Sequence, residues 1–216
     1  MSLFELQAEL QQENQANSRA LQQVIQSIDR AMTPNELTSL TLDAVRQAFG
    51  WDYGSYWVKN NKENALRFAV ESGSVSEEFR RITETATFRE GEGLSGRTWK
   101  QRSIYFVEDL GTMTDCVRAP AARRSGVKSG VCFPITIKGE VVGTMDFFAT
   151  RTLTLSKQRL EALENVSQLV SSRLVQLQEV EAQKENLANT QAMQQVIQSI
   201  DRAMTPNELT SLTFQA

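Results

Sequence analysis

The chain has 216 residues, 40% of them hydrophobic, with 23 basic against 26 acidic side chains and a formal net charge of −3. That length and apolar share suffice for one core of about 120–150 residues with helices around it, while the slightly acidic balance argues against nucleic acid, whose phosphates require a basic face. Histidine is absent, which removes His-dependent triads, His-ligated haem or zinc and a phospho-accepting histidine.

The opening MSLFELQAEL lacks the basic and apolar regions of a signal peptide, and no apolar run reaches the roughly 18 residues of a membrane span. A cytoplasmic location with no membrane insertion is the expectation. From Leu3 to Met32 apolar residues recur at steps of three and four (Leu3, Leu6, Leu10, then Leu21, Val24, Ile25, Ile28), which predicts a helix with one narrow apolar face. Thr33-Pro34-Asn35-Glu36 then places a capping Thr, a Pro at the first helical position and Glu three residues after the cap. The next helix is expected to turn Leu37, Leu40, Ala44, Val45 and Ala48 inward and to end at Phe49-Gly50.

After Gly50 the period becomes alternating. Trp51 to Val58 and Ala65 to Ser72 read as strands joined by a turn at Asn60-Asn61-Lys62, and the polar stretch Ser74 to Thr85 has helical character. Arg89 to Gln101 gives a glycine-bearing turn and a short helix, Ser103 to Asp109 a strand, and Gly111 to Gly126 a loop and helix dense in Arg and Ala. Ser129 to Ile137 and Glu140 to Ala149 are strands joined at Lys138-Gly139, and from Ser156 an uninterrupted helical pattern runs for about 45 residues.

Gln22 to Thr41 (QQVIQSIDRAMTPNELTSLT) returns unchanged as Gln194 to Thr213, an offset of 172 positions (194 − 22). Such a repeat marks a tandem array. It predicts a linker helix over 1–21, a folded domain over 22–155, a signalling or linker helix over 156–193 and the start of a second repeat over 194–216, with a second cap at Thr205 and apolar Ile197, Ile200, Leu209 and Leu212 facing a further domain.

The order of elements is an α+β plan, an antiparallel sheet of about 5–6 strands flanked by helices. Three blocks within it resemble the GAF domain, a small-molecule sensory relative of the PAS fold. They are Gly91-Glu92-Gly93-Leu94-Ser95-Gly96-Arg97 with Trp99, Ser125-Gly126-Val127-Lys128-Ser129-Gly130-Val131-Cys132-Phe133-Pro134-Ile135, and Lys138-Gly139-Glu140-Val141-Val142-Gly143-Thr144-Met145-Asp146-Phe147-Phe148. The resemblance covers about Gln22 to Arg173 and implies a non-enzymatic sensory module, as found in tandem in bacterial chemotaxis receptors and histidine kinases. Such a module binds a small molecule or serves as a packed dimerisation unit. It further implies a ligand cavity, for which Tyr56, Trp57, Trp99, Phe106, Cys116, Arg118, Phe133, Met145 and Phe147 are the candidate lining.

The departures from the family's branches are equally specific. Cys116 is followed by Val117 and there is no His, unlike bilin-binding members. The acidic pair of cyclic-nucleotide members is missing after the last strand, and two cysteines, Cys116 and Cys132, stand where methionine sulfoxide-reducing members use three. A bilin photosensor linked at Cys116 and a free methionine sulfoxide reductase using both cysteines are the alternatives. Arg118, Arg123, Arg124 and Lys128 read as a solvated helix face or as a wall for an anionic ligand. The long helix carries Leu163, Val166, Val170, Leu177, Val180 and Leu187 in a stripe broken by Arg173, Lys184 and Gln191, which predicts a homodimer through the terminal helices. Further signalling domains are expected to follow in the parent protein.

Overall fold

Thr33 is extended (φ −134°, ψ 157°) in the computed structural model, which describes residues 3–203, and its hydroxyl accepts the amide of Glu36 at 3.2 Å. The Glu36 carboxylate reaches back to the amide of Met32 at 2.9 Å, so the capping residues separate helix α1 (Leu3–Arg30) from α2 (Pro34–Phe49). Gly50 closes α2 in the left-handed conformation. The buried face of α2 is Leu37, Thr38, Thr41, Leu42, Val45 and Phe49, whereas the expected Leu40, Ala44 and Ala48 are half-buried. Threonine made the difference. The Thr38 hydroxyl donates to the Asn35 carbonyl at 2.9 Å, so the polar atom is satisfied within the helix and the side chain can face inward.

The remaining elements are β1 (Tyr53–Asn60), β2 (Ala65–Gly73), α3 (Glu77–Thr85), β3 (Thr87–Phe88), α4 (Gly93–Gln101), β4 (Tyr105–Val107), a 3-10 turn (Leu110–Thr112), α5 (Ala119–Ser125), β5 (Gly130–Ile137), β6 (Glu140–Phe148) and α6 (Lys157–Ala203). The six strands form one antiparallel sheet in the order β3-β2-β1-β6-β5-β4. Lys138 and Gly139, both at positive φ (52° and 80°), make the β5–β6 turn, the backbone a two-residue hairpin demands. The two-residue β3 has no counterpart in the sequence reading, because so short a strand carries no period.

Alternation divides the sheet into two faces. Antiparallel partners share a face, so Tyr53, Ser55 and Trp57 of β1 stand with Phe148, Asp146 and Thr144 of β6 and with Cys132 of β5. On the other face Tyr56 stands beside Met145, Met145 beside Phe133, Phe147 beside Val131 and Val131 beside Phe106. The first face carries a core completed by Phe79 of α3, Leu94 and Trp99 of α4, and Ala119, Ala121 and Ala122 of α5. Toward the second, Ser167 and Ser171 of α6 bond to β5: the Ser167 hydroxyl donates to the Pro134 carbonyl at 2.5 Å and the Thr136 amide donates to the Ser171 hydroxyl at 3.0 Å.

The α6 helix runs for 47 residues, its start capped by the Ser156 hydroxyl accepting from the Arg159 amide at 3.1 Å. Residues up to Val175 belong to one compact unit and those from Gln176 to a second. Leu163, Val166 and Val170 are buried, while Val180, Leu187, Met193, Val196, Ile197 and Ile200 are exposed. In the first copy of the repeat Val24, Ile28 and Ala31 are buried. The expected second cap at Thr205, with Leu209 and Leu212, lies outside the described residues. No described helix is long and apolar enough to cross a membrane.

Candidate functional site

Asp146 sits at the middle of the sheet on β6, flanked by Ser55 on β1 and Cys132 on β5. Its carboxylate accepts four donors: the Ser55 hydroxyl on Oδ1, and on Oδ2 the Trp57 indole N–H at 2.9 Å, the Ser95 hydroxyl at 2.9 Å and Nη2 of Arg118 at 2.6 Å. Both Asp146 and Arg118 have side chains that are 0% exposed. A buried carboxylate of this kind persists only where charge and hydrogen bonds both compensate it.

Two local devices bring the partners in. The start of α4 folds tightly over Arg89. A Cβ on Gly96 would lie 2.1 Å from the Arg89 carbonyl, so only glycine allows that approach, and the Gly91 amide donates to the Gly96 carbonyl at 2.7 Å. Ser95 is thereby turned into the core. Asp115 then ties the loop before α5 to α4, accepting Nη2 of Arg97 on both oxygens at 3.0 Å and the Gly93 amide at 3.3 Å. Three residues on, Arg118 enters the interior and its carbonyl accepts the Ala122 amide at 2.8 Å, the first turn of α5.

Inside, the guanidinium carbon lies 4.7 Å from the ring centre of Phe148, 5.0 Å from those of Trp57 and Phe88, and 6.0 Å from that of Phe79. Ring faces attract a cation, and more strongly when water is excluded. Burial is the largest influence and opposes the charged form of Arg118, but the charge and hydrogen bond of Asp146, with Cys116 and Tyr53 nearby, together outweigh it, so the group is held above its ordinary pKa. Nη2 is spent on Asp146 and lies 3.4 Å from Ser95, whereas Nε and Nη1 have no protein acceptor. A buried donor left unsatisfied costs about 1–3 kcal/mol.

The solvated helix face expected of Arg118, Arg123, Arg124 and Lys128 is overturned for Arg118, which is fully buried. Nor do the four form a wall, because Arg123 bonds the Gly111 carbonyl, Arg124 pairs with Glu78 and Lys128 with Asp109. Of the nine residues expected to line one cavity, Trp57 and Arg118 meet directly. Trp99 and the buried Cys116 belong to the same core, with Lys59 Nζ 4.8 Å above the Trp99 ring. Tyr56, Phe106, Phe133, Met145 and Phe147 are on the opposite sheet face, where Phe133 and Phe147 stack at 5.8 Å. Ser55, Ser95, Asp146, Phe79, Phe88 and Phe148 were missed. Asp146 carried a signal: a lone carboxylate inside the apolar run VVGTMDFFA must be either paired or solvated.

Both cysteines are free and buried. Burial, with Asp146 nearby, pushes the Cys132 thiol up to about 12. Among the described residues no group of three or more Cys, Asp or Glu could hold a metal ion.

The profile of the GAF domain matches residues 31–175. Two thirds of the chain lie in that span, and the chain belongs to the GAF family. Solved structures agree on the fold. The GAF domain of a phosphoenolpyruvate-protein phosphotransferase from Coxiella burnetii is similar at 13% identity, with a TM-score of 0.66 over 78% of this chain and 98% of that one. The free methionine-R-sulfoxide reductase of Neisseria meningitidis, in complex with its substrate, is similar at 15% identity, with a TM-score of 0.65 over 78% and 93%. The nlh2 GAF domain of A. aeolicus, in an inactive state, is similar at 15% identity, with a TM-score of 0.56 over 77% and 97%. The structural relatives therefore include both regulatory domains and reductases. No curated protein sequence matches the chain.

Proposed function

We propose that this chain is a sensory module of a signal-transduction protein, in which a small molecule enters among the aromatic side chains packed around Arg118 and alters how α6 packs. The observation that carries the reading is the fully buried Arg118, whose Nε and Nη1 have no protein acceptor inside a ring of four aromatic side chains. The path outward is short. Ser95 of α4 holds Asp146, and one turn later the Thr98 hydroxyl bonds the Cys132 carbonyl of β5 at 3.4 Å. The next strand residues on the same strand, Pro134 and Thr136, are fastened to Ser167 and Ser171 of α6. A ligand that moves α4 shifts the helix only by its differential affinity for the two arrangements. The exposed apolar side chains of α6 beyond Gln176 take a second copy of the chain, and α6 passes the change to downstream signalling domains of a cytoplasmic parent protein.

The reductase reading has the shared fold in its favour, but thiolate is the nucleophile in such chemistry and Cys132 is held protonated far above neutral pH. A bilin linked at Cys116 is disfavoured because Val117 follows it where bilin-binding members often carry His, and the chain has none. Native mass spectrometry of freshly purified chain tests the sensory reading. A retained molecule is expected, together with changed hydrogen exchange over residues 157–175 on its removal. Turnover of free methionine sulfoxide that disappears in a Cys132→Ser chain sinks the proposal in favour of the reductase.

A further inference from the structure

We propose that the buried aromatic cluster around Arg118 recognises an uncharged molecule through its hydrogen-bond acceptors, a carboxamide, lactam or ring carbonyl, with Nε and Nη1 of Arg118 as the donors. The inference rests on the sensory reading above and names its ligand class. It also replaces the anionic ligand that the run of basic residues suggested.

Charge decides between the two. Arg118 and Asp146 are both fully buried and bonded at 2.6 Å, so the pair is already neutral. A carboxylate or phosphate brought to Arg118 leaves one net negative charge in a poorly screened interior beside the Asp146 carboxylate, the arrangement that burial penalises most. A neutral acceptor completes the open donors without adding charge.

Hydrogen-bond capacity points the same way. A carboxylate offers about four acceptor sites, and Asp146 already receives Ser55, Trp57, Ser95 and Arg118. Three of these donors fall on Oδ2, the oxygen bonded to Arg118, so a ligand N–H finds no free acceptor there, whereas a ligand carbonyl finds two donors on Arg118. The rings of Trp57, Phe79, Phe88 and Phe148, packed around the guanidinium, are the apolar surface that a flat body would meet on parting them.

Two pairs of probes separate charge from shape: benzamide against benzoate, and nicotinamide against nicotinate. In the intact 216-residue chain labelled with nitrogen-15 arginine, the Arg118 Nε–H resonance is assigned by its nuclear Overhauser contacts to the Trp57 and Phe148 rings. Titration at millimolar concentration is expected to shift that resonance with the amide of each pair and to give the amide at least about tenfold tighter binding than its carboxylate, one uncompensated interior charge being worth that much. Carboxylates that bind as well as or better than the amides overturn the ligand class and leave the sensory reading standing. A resonance that no probe moves also overturns the inference, whatever molecule mass spectrometry finds retained.

Discussion

Trp57 meets the buried ion pair twice: its indole N–H donates to Asp146 at 2.9 Å, and its ring centre lies 5.0 Å from the guanidinium carbon of Arg118. The two roles separate by substitution. Phenylalanine keeps a ring and removes the donor, and since hydrogen bonds to charged groups contribute about 1.5–3 kcal/mol, Trp57→Phe is expected to lower stability by about 2 kcal/mol. Trp57→Leu removes the ring face as well and should cost more. Guanidinium chloride unfolding with an unchanged m-value measures both, and equal losses contradict the separate role of the ring.

Asp146 and Arg118 depend on one another in the same unscreened interior. Removing one partner of a buried pair costs about 3–5 kcal/mol because the other is stranded, whereas replacing both with apolar groups is often near neutral. Asp146→Leu alone is therefore expected to be severely destabilised, and the Asp146→Leu, Arg118→Met double variant to recover most of that loss while failing to retain ligand. A double variant no better than the single one means that Ser55, Ser95 and Trp57, rather than the charge, hold Asp146.

The fold was legible where local chemistry is unambiguous. Thr33, Pro34 and Glu36 announce a helix start, Lys138-Gly139 a hairpin, and the glycines of the 91–96 stretch a turn, and each forms in the structure. The site was legible only in part, because a strand's alternation reveals that it has two faces without saying which one packs over Arg118 and Asp146. Tyr56 and Trp57 are adjacent aromatic residues on opposite faces, and nothing in their own sequence ranks them. For Arg118, read both as cavity lining and as part of a solvated helix face, the second reading fails for another reason. Its neighbours Arg123 and Arg124 are exposed, bonded to the Gly111 carbonyl and to Glu78, and a basic run looks solvated until the Asp115 tether turns one member inward. Asp146, its missing partner, was the one site residue that composition alone could have exposed.

Alkali tests the protonation of the interior. The Cys132 thiol is pushed from 9.0 to about 12 by burial and Asp146, and Tyr56 from 10.0 to about 12 by burial. Tyr53 is raised too, by burial and by its hydrogen bond to Glu71. Each group ionises more readily when unfolded, so the stabilisation from all three is fully present below pH 9; that from Cys132 and Tyr56 is lost as pH rises through 12, and that from Tyr53 at still higher pH. The urea midpoint is expected to fall above pH 9, less steeply in Cys132→Ala. Alkylation of native Cys132 by iodoacetamide at pH 7 should be orders of magnitude slower than that of a free thiol, and rapid labelling there contradicts a buried, protonated thiol.

The β5–α6 fastening makes a prediction that stability alone does not capture. Ser171→Ala removes the acceptor of the Thr136 amide, and Ser167→Ala removes the donor to the Pro134 carbonyl. Each should cost about 1 kcal/mol. The specific readout is hydrogen exchange at the Thr136 amide, expected to quicken in Ser171→Ala and to remain slow in Ser167→Ala. If the relay runs through these bonds, the response of α6 to ligand weakens in both variants while ligand affinity at Arg118 is kept.

Beyond Gln176 the helix presents Leu187 at 60%, Met193 at 68% and Val196 at 56% exposure, a density of apolar side chains that an isolated helix does not keep in water. On the proposed reading a second copy of the same helix covers this stripe, with Lys184 and Gln191 at positions within it restricting the partner number. Burying one such side chain contributes about 1.5–3 kcal/mol. Because a dimer buries it twice, Leu187→Glu is expected to weaken self-association by at least about a hundredfold. Sedimentation of the parent chain at high micromolar concentration gives the dimer, and that of the variant the monomer. A parent chain that sediments as a strict monomer excludes a second copy as the occupant of this stripe.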